Sequence, residues 1–241
     1  MFDHVGIWVT NRLESERFYA TVLRTLGLER SYSGDDYAEW DDFALGTDGE
    51  HAVTRGLHIA FVAPSHAHVD EFWRVGTEAG HRSDGAPGPR PQYGDDYYGA
   101  FLLDPDGNSA EAVHHGALRV GGGIDHLWIR VADVPAAKRF YETVASHAGF
   151  RLAMDTPERA RFAGESGSFS VVAGAPAENV HLAFPVHDNA TVAAFHRAAT
   201  EAGYRDNGAP GERPVYHEGY YGAFVLDPDG NNVELVNHNR D

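Results

Sequence analysis

The chain has 241 residues, with 36 acidic and 19 basic side chains, 15 histidines and no cysteine. A formal charge of −17 argues against nucleic acid and against anionic lipid, since both partners need surplus Lys and Arg. Without cysteine there is no disulfide, thiolate nucleophile or cysteine-bound zinc, so any metal must rest on His, Asp or Glu. A hydrophobic share of 42% is enough for packed cores. No apolar run reaches the roughly 18 residues of a membrane span. The N-terminus lacks the basic start and apolar block of a signal peptide, so the cytoplasm is the expected compartment.

In chain order, Val5, Ile7 and Val9 alternate with His4, Gly6 and Trp8, which predicts a strand. A helix follows over about 12–26, capped by Asn11 and stopped by Gly27, with Leu13, Phe18, Val22 and Leu26 as its apolar face. Short strands are expected near 29–33, 37–42 and 51–54, then a strand at Leu57–Val62. A second helix runs over about 66–79, between Ser65 and Gly80. A long Gly/Pro loop at 84–93 leads to a strand at Gly99–Leu103. A turn at Asp104-Pro105-Asp106-Gly107 then gives a last strand at Asn108–His114.

The order then repeats. Residues 84–115 and 207–238 match without a gap at about two thirds of positions. Asp3-His4 matches Asp125-His126, Phe18-Tyr19 matches Phe140-Tyr141, and the strand around His58 matches the one around His181. The period, roughly 122 residues, is a whole domain rather than a solenoid unit. Two domains are expected, 1–118 and 123–241, linked near Gly116–Gly123. In the second, Asp133 with Pro135 opens one helix, and Asp188 or Asn189 opens the other.

The matched positions share a chemistry. His4, His58 and Glu111 lie on the first, middle and last strands of copy one, and His126, His181 and Glu234 repeat them. Strand alternation sets these side chains on the face opposite the aliphatic residues. Two imidazoles and a carboxylate beside apolar strands are costly to bury alone. A divalent transition metal, Fe(II), Mn(II), Ni(II), Zn(II) or Co(II), would compensate them and keep positions open for substrate, water or oxygen. A hydrogen-bonded set without metal is the simpler alternative.

With Asp-His on the first strand, Phe-Tyr in the first helix, an internal His strand and a terminal Asp-Pro-Asp-Gly-Asn-x-x-Glu, the chain resembles the vicinal oxygen chelate superfamily. That group holds glyoxalases, extradiol dioxygenases, fosfomycin resistance proteins and bleomycin-binding proteins. The resemblance covers nearly the whole chain. It implies an α+β fold, a tandem duplication of a glyoxalase/dioxygenase-like domain, with two βαβββ units per copy forming a cupped, barrel-like sheet. It also implies a metal chelated by two neighbouring substrate oxygens. His126, His181 and Glu234 match the family's ligands, as do His4, His58 and Glu111. Some relatives exchange units, so His4 could instead join His181 and Glu234, and His126 join His58 and Glu111.

The copies differ. His217 stands where copy one has Gly94. Its spacing before Glu234 resembles the extradiol signature, which would make it an acid–base or anion-stabilising group; a loop histidine in solvent is the alternative. Phe224 occupies a Tyr position of that signature, and an acid–base His before the middle ligand has no counterpart. Arg130 shares the His126 face and could pair with a substrate carboxylate or enolate, or with a neighbouring acid. Tyr97-Tyr98 and Tyr220-Tyr221 enter a strand from the Pro-rich loop. One of each pair packs in the core, or the pair closes over a flat substrate, with Tyr221 as the candidate catalytic tyrosine. The expected activity is dioxygenase-like, on a small oxygenated substrate, aromatic ones included. The alternatives are a non-redox lyase or isomerase and an antibiotic-binding resistance protein. The expected partner is a small molecule, and the expected assembly a monomer or homodimer.

Overall fold

A computed structural model describes residues 1–116 and 122–240. The expected link at Gly116–Gly123 and the expected domain end at 118 fall largely on residues 117–121, outside the described ones. The described residues form four α-helices and sixteen strands, the strands in two eight-stranded, mixed sheets. The sheets are open rather than barrel-like, each ending in two edge strands.

The chain divides into two compact units, and the divisions fall within strands. The N-terminal unit is Gly6–Trp128; the C-terminal unit joins Met1–Val5 to Ile129–Asp241. Strand β1 (His4–Trp8) and strand β9 (Ile124–Val131) therefore each contribute residues to both.

In the N-terminal unit, α1 (Arg12–Leu23) follows β1. Asn11 caps it, its side chain accepting from the Glu14 N–H at 3.2 Å. Phe18, Tyr19, Val22 and Leu23 are buried, while Leu13, expected on that face, is exposed. Leu13 sits in the first turn, ahead of the point where the helix meets the core. Three short strands follow: β2 (Tyr32–Ser33), β3 (Tyr37–Trp40) and β4 (Phe43–Gly46). The strand expected at 51–54 is absent among the described residues. Asp48 instead accepts the Glu50 and His51 N–H groups at 2.9 Å each, bending that segment into a turn. Strand β5 (His58–Val62), α2 (His66–Glu78), β6 (Ser83–Pro89), β7 (Tyr98–Leu103) and β8 (Ser109–His114) complete the unit. The expected 84–93 loop is thus strand through Pro89. It is an edge strand with irregular register, so the N–H groups missing at Pro87 and Pro89 break little of the ladder.

The C-terminal unit repeats the plan: α3 (Val134–Ala148), β10 (Arg151–Thr156), β11 (Arg159–Ala163), β12 (Ser168–Ala173), β13 (Val180–Pro185), α4 (Asn189–Glu201), β14 (Asp206–Glu212), β15 (Tyr221–Leu226) and β16 (Asn232–Asn237). Asp133 and Asp188 cap α3 and α4 by accepting from the Ala136 and Thr191 N–H groups at 2.9 and 2.7 Å.

The Phe-Tyr and Asp-Pro-Asp-Gly motifs are structural partners. Tyr19 donates to buried Asp104 at 3.0 Å, and Tyr141 to buried Asp227 at 3.2 Å. Each aspartate also accepts the N–H groups of the turn that follows it, at 2.8–3.0 Å. The first helix of each copy is thereby tied to the turn that leads into β8 or β16, the strands carrying Glu111 and Glu234.

Candidate metal centres

In the C-terminal unit, β13 and β16 run parallel with Ala183 opposite Glu234 and His181 opposite Asn232. Period-2 geometry therefore sets His181 and Glu234 on one face. The Asp3 N–H donates to the Ala183 carbonyl at 2.9 Å, which lays the start of β1 alongside β13 and brings His4 to the same place. His4 Nε2 stands 3.0 Å from His181 Nε2 and 3.9 Å from Glu234 Oε2, and His181 Nε2 is 3.1 Å from that oxygen. In the N-terminal unit, Ala60 of β5 lies opposite both Glu111 of β8 and His126 of β9. His58, two residues along the same face, places Nε2 3.0 Å from Glu111 Oε2, with His126 Nε2 at 3.6 Å.

The structure thus assembles the exchanged sets, His4 with His181 and Glu234, and His58 with Glu111 and His126. The closed sets are not formed. In each observed set the ligand atoms lie within 4.8 Å of one another.

Both carboxylates are 1% exposed, and each is held the same way. Tyr220 donates to Glu234 Oε1 at 2.7 Å, and Tyr97 to Glu111 Oε1 at 2.7 Å. Burial, then the nearby carboxylate, pushes both phenols above their ordinary range, so each stays a donor. Gly222 and Gly99 make room: a Cβ there would sit 2.6 Å from Glu234 Oε1 and 2.5 Å from Glu111 Oε1. With one oxygen of each carboxylate committed to a tyrosine, the other is aimed at the histidines.

An outer layer orients the imidazoles. Asp3 Oδ1 accepts from His4 Nδ1 at 2.8 Å, and Asp125 Oδ1 from His126 Nδ1 at 2.8 Å. With Nδ1–H so engaged, Nε2 presents its lone pair to the site. Burial pulls the Asp3 carboxyl upward, but the bonds from His4 and His238 outweigh it and leave the group below its ordinary range. On the second histidine of the N-terminal site, His58 Nδ1 lies 3.3 Å from Ser109 Oγ, which donates to Asp84 at 2.9 Å. His181 is pushed down chiefly by burial, which favours the neutral imidazole a metal needs. Three electron-pair donors facing one another, one of them on an imidazole oriented by a carboxylate, suit a divalent cation. Without a cation, a proton on His181 Nε2 would have to be shared between His4 Nε2 and Glu234 Oε2.

The other expected site residues are distributed unequally. His217 lies outside the triad and ends a chain of side chains leading to it. Its Nε2 meets His238 Nδ1 at 2.8 Å, and His238 Nε2 meets Asp3 Oδ2 at 2.7 Å. The N-terminal unit has the shorter version, His115 on Asp125 at 2.8 Å, and Gly94 stands in place of the outer histidine. Tyr221 is not the site tyrosine. Tyr220 contacts Glu234 and Gly222 lies against the same carboxylate, so alternation turns Tyr221 to the opposite face. Its counterpart Tyr98 accordingly bonds Asp70 of α2 at 2.8 Å. Arg130 is exposed, with its stem along Gly174, and is in neither triad. Tyr220 and Tyr97, each expected with its neighbour to close over the substrate or pack in the core, bond the carboxylates instead, while His238 and His115, which no sequence signal marked as site residues, contact Asp3 and Asp125. Trp128 and Phe101 add rings around His58, at 6.3 and 5.9 Å, and Tyr93 lies edge-on to Trp128 at 5.7 Å.

Residues 123–235, a little under half of the chain, match the model of the Glyoxalase/Bleomycin resistance protein/Dioxygenase superfamily. Among solved structures, glyoxalase I from Zea mays aligns over 98% of this chain and 92% of its own, at 21% identity and a TM-score of 0.69. Its V278E variant reaches 0.72 at 20% identity, with the same coverage. A putative dioxygenase from Bacillus subtilis aligns over 99% of this chain and 85% of its own, at 14% identity and a TM-score of 0.67. At these identities the likeness establishes the fold of the whole chain, a tandem pair of glyoxalase-like domains. No curated protein sequence matches the chain. No helix among the described residues is long and apolar enough to cross a membrane.

Proposed function

We propose that the protein is a metal-dependent enzyme that binds one divalent transition metal at each triad and acts on a small oxygenated substrate. The observation that carries this reading is the convergence of two imidazole nitrogens and one buried carboxylate oxygen in each unit. His4, His181 and Glu234 would hold one ion, and His58, Glu111 and His126 the other. When bound, such an ion supplies Lewis-acid activation of substrate oxygens and, as iron, the capacity for oxygen chemistry. The chain's own residues do the rest. Asp3 and Asp125 orient the first histidine of each set, while Tyr220 and Tyr97 fix the carboxylate rotamers. The buried strands around each set limit water on the ligand side.

Two histidines and one carboxylate leave several coordination positions open, the donor set associated with oxygen-activating Fe(II). This favours dioxygenase-like work, and the rings around His58 suit a flat, aromatic substrate in the N-terminal unit. The non-redox lyase or isomerase reading draws on Phe224, which lines the His181 ring at 6.3 Å where the ring-cleavage pattern has tyrosine. An antibiotic-binding role makes no use of two oriented triads. Oxygen consumption with catechol-type substrates by the iron-loaded protein tests the leading reading. Turnover of a hemithioacetal or an enolisable substrate by the nickel- or zinc-loaded protein, without oxygen uptake, would replace it.

A further inference from the structure

The two triads repeat each other in their ligands and differ in what stands behind one of them. His4 and His126 are backed alike, by Asp3 and Asp125 at 2.8 Å. The other two histidines, His58 and His181, are not. In the gapless match of 84–115 with 207–238, Asp84 and Ser109 stand where the second copy has Asn207 and Asn232. Strand pairing sets Ser109 of β8 opposite His58, and Asn232 of β16 opposite His181. Each meets the Nδ1 of its imidazole, while Nε2 faces the triad.

Proton counting assigns the tautomer on each side. Ser109 has one hydroxyl proton and donates it to Asp84 at 2.9 Å. Toward His58 Nδ1, 3.3 Å away, its oxygen can then only accept. Nδ1 is therefore the N–H of that ring, and Nε2 presents its lone pair beside Glu111. In the C-terminal unit, Asn207 Nδ2 donates to Asn232 Oδ1 at 3.0 Å. That turns Asn232 Nδ2 toward His181 Nδ1, at 2.7 Å, where it can only donate. The ring proton of neutral His181 is left on Nε2, inside the triad, with His4 Nε2 at 3.0 Å and Glu234 Oε2 at 3.1 Å.

To coordinate a cation, His181 must release the proton on Nε2 and take one up on Nδ1, with no net change in its charge. Asn232 must then turn its oxygen to Nδ1, and Asn207 must reverse with it. His58 needs neither step, and the Asp84 carboxylate behind Ser109 adds to its basicity.

We propose that Asp84 and Ser109 are positioning residues that preset the N-terminal centre for a divalent cation, while Asn207 and Asn232 hold the C-terminal centre in the opposite tautomer, so that the N-terminal centre fills first. The inference rests on the metal reading given under the proposed function.

Zinc titration of the metal-free full chain in competition with a calibrated chelator tests it, with His181→Ala isolating the N-terminal centre and His58→Ala the C-terminal one. The N-terminal centre should bind about tenfold or more tightly, within the span that an outer-layer partner controls. Asn207→Asp/Asn232→Ser, added to His58→Ala, should tighten the C-terminal centre by about tenfold. Asp84→Asn/Ser109→Asn, added to His181→Ala, should weaken the N-terminal one by about as much. A swap that gains affinity is not the mark of a merely structural pair. Long-range proton–nitrogen NMR of the imidazoles reads the tautomers in the unmutated chain. Metal-free His181 should carry its proton on Nε2 and, with zinc, on Nδ1, while His58 keeps its Nδ1 proton throughout. The proposal is overturned if the two centres bind within about threefold of each other, if the swaps leave both constants unchanged, or if metal-free His181 already carries its proton on Nδ1. A full chain that binds no zinc overturns the metal reading as well.

Discussion

Replacing Asp3 by asparagine isolates the contribution of the carboxylate behind His4. Asp3 makes two charge-assisted hydrogen bonds, to His4 Nδ1 at 2.8 Å and to His238 Nε2 at 2.7 Å. Only the first acts on a candidate metal ligand. Asparagine is nearly isosteric and keeps an acceptor oxygen, so His4 retains its place but loses the charge that raises its basicity. A hydrogen bond to a charged group contributes about 1.5–3 kcal/mol net. Transferred to the ligand, that range is a loss of about 10- to 100-fold in metal affinity, the span typical of removing an outer-layer partner. Competition with a calibrated chelator resolves two binding constants in the parent protein. In Asp3→Asn one constant should weaken by that factor and the other should stay put, with Asp125→Asn giving the mirror result. The reasoning is refuted if both constants stay within about threefold of the parent, or if Asp3→Asn moves both equally.

Tyr220→Phe leaves one oxygen of the buried Glu234 unsatisfied, and should lower apo-protein stability by about 1–3 kcal/mol in urea unfolding; no change would mean that water replaces the phenol. Gly222→Ala forces a methyl group onto Glu234 and should cost about 1–3 kcal/mol and one equivalent of metal, measured by melting and by elemental analysis; retention of both would remove the close-packing argument. Asp42 supplies a pH test. Burial pushes its carboxyl up to about 6 from 3.8, against the pull of the Ile124 and Gly123 N–H groups it accepts. A raised acid is bound to its proton more tightly when folded, so this stability is present below about pH 4 and is lost as pH rises through about 6. Asp42→Asn should therefore be the more stable protein at pH 7.5, by at most about 3 kcal/mol at roughly 1.4 kcal/mol per unit, with a smaller gain at pH 4.5. A parent that outperforms the variant as pH rises would contradict this.

Strand alternation identified all six histidine and glutamate positions that the structure gathers, because the side chain's face is a local property of the strand. The pairing of those positions was not legible. It depends on where the start of β1 finds its ladder, and the Asp3 bond to Ala183 is a contact across 180 residues that no local pattern encodes. The Tyr220–Tyr221 choice was decidable by counting back in twos from Gly222, once that glycine is known to face the carboxylate. The 84–93 segment misled because Pro and Gly signal a loop in general, and only its place at a sheet edge makes them tolerable in a strand. His217 stood out by its absence from copy one, yet its route to the site runs through His238 and Asp3, residues unremarkable in sequence.

The pairing of the ligands is tested most directly by metal content in two double variants, after reconstitution with a single divalent metal and removal of the excess. His4→Ala/His181→Ala disables one triad, so the protein should keep one equivalent. His4→Ala/His58→Ala disables both and should keep none. If the second variant retains an equivalent while the first retains none, the ligands pair within the sequence copies, and the exchanged arrangement described above is wrong.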